Sequence, residues 1–371
     1  MTSGLDHARR ILVKIGSALL VEGQDGRIHR SWLNALADDI ADLRRDGREV
    51  LIVTSGAIAI GRRLLGLTAG TMRLEESQAA AASGQIRLAH AYQEALGRHE
   101  IGVAQLLLTL DDTEDRRRYL NALNTLNTLL RMGAVPIVNE NDTVATGEIR
   151  FGDNDRLAAR VSMMASADAL VLLSDIDGLY DRDPKTNNDV TMIHEVEAIT
   201  PEIMAMGGKA RAGDSSGGME TKLIAARIAT QAGCNMAIAD GRIDHPLRAM
   251  REGKPCTWFL ARDNPTTARK RWIAGALKPS GSVTVDAGAL TALGSGRSLL
   301  PAGVTSVEGS FDRGDAVVLN GPDGLEVGRG LVAYSCADAR TIAGHKSGEI
   351  ELLLGYRGRE ELIHRDDLVM A

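Results

Sequence analysis

The chain has 371 residues, 44% of them hydrophobic and 25% charged, with a formal net charge of −6. This is close to the globular average, and the length suffices for one large α/β domain plus a smaller one. The acid excess excludes a general attraction to nucleic acid or anionic membranes, and an aromatic content of 3% argues against base-stacking platforms.

From the N-terminus, "MTSGLDHARRILVKIGSALL" carries paired arginines ahead of an apolar run, as an export signal does. Lys14 breaks that run and no small-residue cleavage site follows, so a cytoplasmic protein is expected. "RILVKIG" (10–16) predicts a strand instead. A lysine at its end is costly unless it has a partner or a ligand. Gly16 and Ser17 then form a turn whose backbone N–H groups can approach an anion. The alternative is a lysine snorkelling from the sheet edge.

A helix is expected over 31–46, then the strand "EVLIVTSG" (49–56). It ends in Thr54, Ser55 and Gly56 and passes into small residues, from Ala57, suited to a helix start, which makes either a carboxylate or phosphate site or an ordinary βα turn. Helices over 74–99 and 113–132 flank a strand at 102–109, and "AVPIVNE" (134–140) is the next strand. "NENDTVATGEIRFGDND" (139–155) then gathers five carboxylates, Glu140, Asp142, Glu148, Asp153 and Asp155, around a single base, Arg150. A metal site, a cationic ligand and solvated surface each fit that loop.

A helix over 154–166 leads to the strand "ALVLLSD" (169–175), which ends at Ser174 and Asp175. The following "DIDGLYDRD" looks like a calcium loop, but its glycine comes one position early and the closing Glu is missing. "GDSSGGMETK" opens a helix over 218–232 with Thr221 and Lys222 in its first turn. A cation is disfavoured there, so an anion bound beside the amides would explain it, as would a flexible surface loop. The last strand of the series is "NMAIAD" (235–240).

Continuous apolar strands alternating with helices predict a mostly parallel sheet covered on both faces, a three-layer αβα sandwich. Residues 1–262 form this domain. "ARDNPTTARKRWIAGALKPSGS" changes character and places a linker at 263–279. From 280 to 371 the segments are short and Gly-rich, and "SVTVDAGA", "AVVLN", "EVGRGLVAYS" and "IELLLGY" read as strands of a small β-barrel. Cys234, Cys256 and Cys336 form no C-x-x-C pair, which supports neither a disulfide framework nor a thiolate zinc site.

Neither G-x-x-x-x-G-K-[ST] nor a post-strand G-x-G-x-x-G occurs. Two lysines remote in sequence, with anion-ready turns, fit phosphoryl transfer, which needs positioning and charge neutralisation more than covalent help. A carboxylate acceptor, with a pKa near ~4, is already ionised at neutral pH and requires no base.

Taken in order, "VKIGSALL", "VTSGAIAIG", "VPIVNENDTVAT", "FGDND", "LLSDIDGLYDRDP", "SSGGMETK" and "TARKRWIAGA" resemble the amino-acid kinase family over nearly the whole chain. The closest likeness is to its branch that phosphorylates the γ-carboxylate of L-glutamate and carries a C-terminal PUA domain, an RNA-binding fold. The resemblance implies ATP and Mg²⁺, without direct protein ligation of the metal, and the first step of proline synthesis. Lys14, Asp155 and Lys222 would be catalytic, with Asp155 orienting both lysines. Ser55, Gly56, Ala57, Asp142 and Asn154 would bind glutamate, Asp142 facing its ammonium. ATP would lie against Lys14, Gly16, Ser17, Ser174, Asp175, Ser216, Gly217, Gly218, Met219, Glu220, Thr221 and Lys222. The family loop usually reads Gly-Thr-Gly-Gly-Met; Ser215 and Ser216 replace its first two residues here.

The likeness further implies proline as an inhibitor, a homo-oligomer (dimer or tetramer), and a glutamyl-phosphate reductase as a possible recipient of the product. Glu140, Glu148 and Asp153 would be solvated or oligomer-facing. Three rivals stand beside this reading. A sister kinase would act on acetylglutamate, aspartate or carbamate. An RNA-binding role is weakened by thirteen acids against eight bases from residue 280 onward. An inactive proline sensor would have no need of Lys14, Asp155 and Lys222.

Overall fold

Arg10–Ile15 (β1) reads RILVKI, with its last five residues buried. Its alternate side chains enter two separate cores. Ile11, Val13 and Ile15 pack on one face of the sheet with Trp32, Leu36 and Tyr92. Leu12 packs on the other with Leu126, Leu157 and Leu223. Period-2 alternation therefore sends Lys14 to the same face as Leu12.

The computed structural model describes all residues except 1–3, 23–25, 68–71, 146–152, 185, 188, 209–217 and 276–277, and the side chains of 153, 272 and 275. Glu148, Arg150, Ser215, Ser216, Gly217 and the Asp153 side chain thus lie outside the described residues.

The other strands of the main sheet are Glu49–Val53 (β2), Val103–Leu108 (β3), Val135–Glu140 (β4), Ala169–Ser174 (β5), Glu195–Val196 (β6), Asn235–Asp240 (β7) and Thr257–Phe259 (β8). Their order is β6-β8-β7-β5-β1-β2-β4-β3. β1 pairs in parallel with β2 and β5, and the whole run from β3 to β7 is parallel. β8 runs antiparallel to β7, which the sequence did not announce because three residues carry no readable period. The chain builds β2, β3 and β4 on one side of β1 and then crosses to β5 on the other. A switch of this kind leaves a crevice beyond the carboxyl ends of the strands.

The helices used below are Ser17–Leu20 (α1), Arg30–Arg45 (α2), Ala57–Leu64 (α3), Leu74–Gly97 (α4), Leu110–Glu114 (α5), Arg116–Arg131 (α6), Asp153–Met164 (α7) and Met219–Gln231 (α8). α2 and α4 contribute to the core on the Ile11 face, whereas α6, α7 and α8 contribute to the core on the Leu12 face. This is the expected three-layer α/β architecture. α3 and α4 touch backbone to backbone. A Cβ on Gly84 would sit 1.8 Å from the Ala57 carbonyl oxygen, and one on Gly61 would sit 1.7 Å from that of Ala80.

The chain divides into two compact units, Met1–Pro265 and Thr266–Ala371. In the second, a five-stranded sheet joins Gly281–Val285, Val304–Gly309, Ala316–Asn320, Glu326–Leu331 and Leu368–Met370 around a core containing Val283, Val317, Leu319 and Ile363. Two readings change here. "IELLLGY" holds a helix, Ile350–Leu354, closed by Gly355 at φ 75°, because its apolar run turns after one face is buried. The stretch read as a linker holds the helix Pro265–Gly275; its Ile273 is buried with Ala316 and Leu331, and its Arg269 pairs with Asp367 at 2.9 Å. Among the described residues no helix is long and apolar enough to cross a membrane.

Candidate active site

Lys14, one residue from the end of β1, is 8% exposed. Its Nζ lies 2.6 Å from Asp155 Oδ1. Asp155 sits in the first turn of α7, 1% exposed, and its other oxygen is 3.2 Å from Lys222 Nζ on α8. Thr221 also donates to Oδ2, at 3.3 Å. The three charged residues come from three elements that share one face of the sheet, which is why residues 14, 155 and 222 can meet. Burial pushes the Asp155 carboxyl up, but the ammonium groups of Lys14 and Lys222 outweigh it and hold the group below the usual carboxylate range. Two buried lysines converge on one carboxylate, a setting suited to a migrating anion.

The turns expected to bind anions lie along the same edge. Gly56 adopts φ 105°, which favours glycine, and starts α3 with no side-chain cap on its first N–H groups. Gly218 likewise starts α8 with no side-chain cap. Gly16 is extended, at φ −74°, before the short α1, so its residue type is not dictated by its backbone. At the end of β5, buried Ser174 donates to Asp175 at 3.2 Å, while Asp175 itself is exposed. Glu220 is exposed; Met219 and Thr221 are half-buried. Asp142 is half-buried in the loop after β4 and has an interaction partner.

Asn154 is the neighbour of Asp155 and faces a different set of groups. Its Nδ2 donates to the Thr54 carbonyl at 2.8 Å, to Ser55 Oγ at 2.7 Å and to Asn139 Oδ1 at 3.2 Å. Asn139 is buried on β4 and donates in turn to Gln85 Oε1 on α4, at 2.7 Å. Thr54 Oγ1 and the Tyr92 hydroxyl share a hydrogen bond of 2.8 Å. Burial raises the Tyr92 phenol well above its ordinary value, so the group stays neutral at physiological pH. Ser55 and Asn154, both expected at the acceptor end, are thus brought together.

Sequence reasoning placed Thr54 and Asn139 at this edge without assigning either a role, and missed Gln85 and Tyr92. Asn139 stood in the acidic loop but had no assigned role. Gln85 and Tyr92 lie on the face of α4 that buries Ala81, Leu88 and Ala95; a glutamine in that helical phase was the available signal. Also unforeseen is the pairing at the end of β7, where Arg242 Nε and Nη2 donate to the two oxygens of Asp240 at 2.8 and 3.0 Å.

The sequence profile of the amino acid kinase family matches residues 9–240 and that of the PUA domain matches residues 281–354. The glutamate 5-kinase of Paramagnetospirillum magneticum is 61% identical over 368 residues, covering 99% of each chain. That of Rhodospirillum rubrum is 62% identical, covering 97% of this chain and 96% of the relative. Among solved structures, carbamate kinase from Giardia lamblia bound to AMP-PNP superimposes with a TM-score of 0.50 at 17% identity, covering 69% of this chain and 99% of that one; that likeness concerns the fold alone.

Proposed function

The chain belongs to the amino acid kinase family, and from that premise we propose that it transfers the γ-phosphoryl group of ATP to the γ-carboxylate of L-glutamate. The observation that carries this reading is the meeting of Lys14 and Lys222 on opposite oxygens of a buried Asp155. Its relatives of about 60% identity are glutamate 5-kinases along their full length.

We assign the chemistry to residues 1–262. Asp155 holds the two ammonium groups so that both face the transferring group. The lysines oppose the repulsion between two anions and stabilise the charge that spreads over the equatorial oxygens. The acceptor is ionised at neutral pH, so the site needs no general base. One carboxylate oxygen of glutamate forms the new P–O bond as the bond to the ADP leaving oxygen breaks, and no covalent enzyme intermediate intervenes.

Ser55, Asn154 and the N–H groups of Gly56 and Ala57 bind the substrate carboxylates, and Asp142 faces the ammonium. Gly16, Ser17, Ser174, Asp175 and the 216–222 loop hold the nucleotide. Mg²⁺ screens the charge on the phosphates when bound. The ion would be carried by the nucleotide's own oxygens and water.

The reading extends to the first step of proline synthesis, to inhibition by proline at the glutamate site, to a homo-oligomer, and to a reductase as recipient of the labile acyl phosphate. Trapping the product with hydroxylamine, in the presence of ATP, Mg²⁺ and L-glutamate, tests the core of it. Formation of γ-glutamyl hydroxamate is expected. Hydroxamate formed only from aspartate, acetylglutamate or carbamate would replace the substrate, and none at all would remove the activity.

A further inference from the structure

Three polar side chains of α4 lie seven residues apart and therefore share one face of the helix. Gln78 Nε2 donates to the Ala145 carbonyl at 3.3 Å, Gln85 accepts from Asn139 at 2.7 Å, and Tyr92 bonds to Thr54 at 2.8 Å. Each contact falls on a strand end or loop at the proposed acceptor site. Gln85 is the central one and is 8% exposed.

The sense of the amide chain is fixed from its far end. The Thr54 carbonyl can only accept, so Asn154 presents its NH₂ there and also to Asn139 Oδ1. Asn139 must then point its own NH₂ at α4, where Gln85 Oε1 receives it. The Gln85 Nε2 atom is buried and finds no acceptor among the described residues. Gln85 therefore contributes one acceptor. Without it, buried Asn139 would hold an unpaired NH₂, which is costly, and turning the Asn139 amide to relieve that would aim a donor at Asn154.

We propose that Gln85 is a positioning residue for the acceptor substrate: by accepting from Asn139 it fixes the amide that holds Asn154 against Ser55. This rests on the reading of Ser55 and Asn154 as glutamate-binding groups. Gln85 has no role in nucleotide binding on this assignment, because its chain of contacts ends at Ser55 and Thr54 and never reaches Lys14, Asp155 or Lys222.

The test uses the full chain in the hydroxamate assay, with thermal unfolding of each variant as the folding control. Gln85→Met keeps the length of the side chain and removes the acceptor. It should raise KM for L-glutamate about tenfold, the scale expected for one unpaired buried donor, and leave KM for ATP within about twofold. Gln85→Glu keeps the acceptor oxygen and exchanges the NH₂ for a titratable oxygen whose charge burial disfavours, so it should recover most of the KM for glutamate. Should Gln85→Met fail to fold, Gln85→Asn, which withdraws the amide by one methylene, should show the same selective rise. A wild-type KM for glutamate in the folded variant, a parallel rise in KM for ATP, or a Glu variant as impaired as the Met variant would each overturn the proposal. Absence of hydroxamate with the unmodified chain would instead overturn the functional reading, and this assignment with it, before any variant is compared.

Discussion

The two faces of the main sheet bring different chemistry to the same edge. The face covered by α6, α7 and α8 supplies full charges, Lys14, Asp155 and Lys222, in a buried ion cluster. The face covered by α2 and α4 supplies neutral groups, Gln85, Asn139, Thr54 and Tyr92, in a hydrogen-bonded chain. On the proposed reading the charged face meets a phosphoryl donor, whose concentrated negative charge ammonium groups offset at any orientation. An amino-acid acceptor must be held in one pose, for which directional amides serve better. The difference also dictates how each face fails. In the ion cluster two lysines meet one carboxylate, so either can be lost and the other stays paired with Asp155. The amide chain has no spare member.

The largest effect expected from this contrast comes from Lys14→Ala or Lys222→Ala. Either should lower kcat by about 10²–10³, the scale for losing one donor to developing charge, while leaving a one-to-one pair with Asp155 and a fold of nearly wild-type Tm. Asp155→Ala is the converse. It removes the carboxylate that both buried ammonium groups share, and denaturant unfolding should show a loss of about 3–5 kcal/mol. Equal stability losses in all three variants would erase the proposed asymmetry.

On the neutral face, Gly84→Ala forces a methyl to within 1.8 Å of the Ala57 carbonyl. The helices must separate, at about 1–3 kcal/mol, and KM for L-glutamate should rise while KM for ATP stays put. An unchanged KM for glutamate would show that the α3–α4 contact does not set the acceptor site.

Acid sharpens the comparison, because only the charged face contains a carboxylate among the groups compared. The folded Asp155 carboxyl is held low: burial opposes ionisation, but the lysines more than offset it. A depressed folded value adds stability above the unfolded pKa near ~4, and that contribution is lost as pH falls through the folded value. Tm measured from neutral pH downward should therefore drop below about pH 4, with a shallower drop in Asp155→Asn.

The smallest effect is a labelling rate. Burial pushes the Cys234 thiol up to about 12 and the Cys256 thiol to about 11, and Cys336 is also buried. All three should resist alkylation until the chain is denatured. Cys234 belongs to the core under the lysines and Cys256 to the core under the amides. Whichever becomes reactive in a variant reports the face that has loosened.

The charged half of this edge was legible because a lysine ending an apolar strand, or standing in the first turn of a helix, breaks a rule that residue types reveal directly. Lys14 and Lys222 each broke one. The fold was legible for a similar reason, since β1, β2, β5 and β7 are continuous apolar runs. The neutral half was not. A glutamine inside "AAASGQIRLAH" breaks no pattern until the helix phase is known, and its partner Asn139 lies 54 residues away. "IELLLGY" misled for want of period: four aliphatic residues in seven suit a strand or a single helical turn, and the choice falls to Gly355.

Asn154 and Asp155, side by side in the first turn of α7, answer to opposite halves of the crevice. Consecutive helical residues diverge by about 100°, so on the proposed reading this one turn works as a gauge block whose pitch sets the spacing between acceptor and donor. Inserting or removing a single residue between 154 and 155 would put the two sets of contacts out of step while leaving every participating side chain in the sequence.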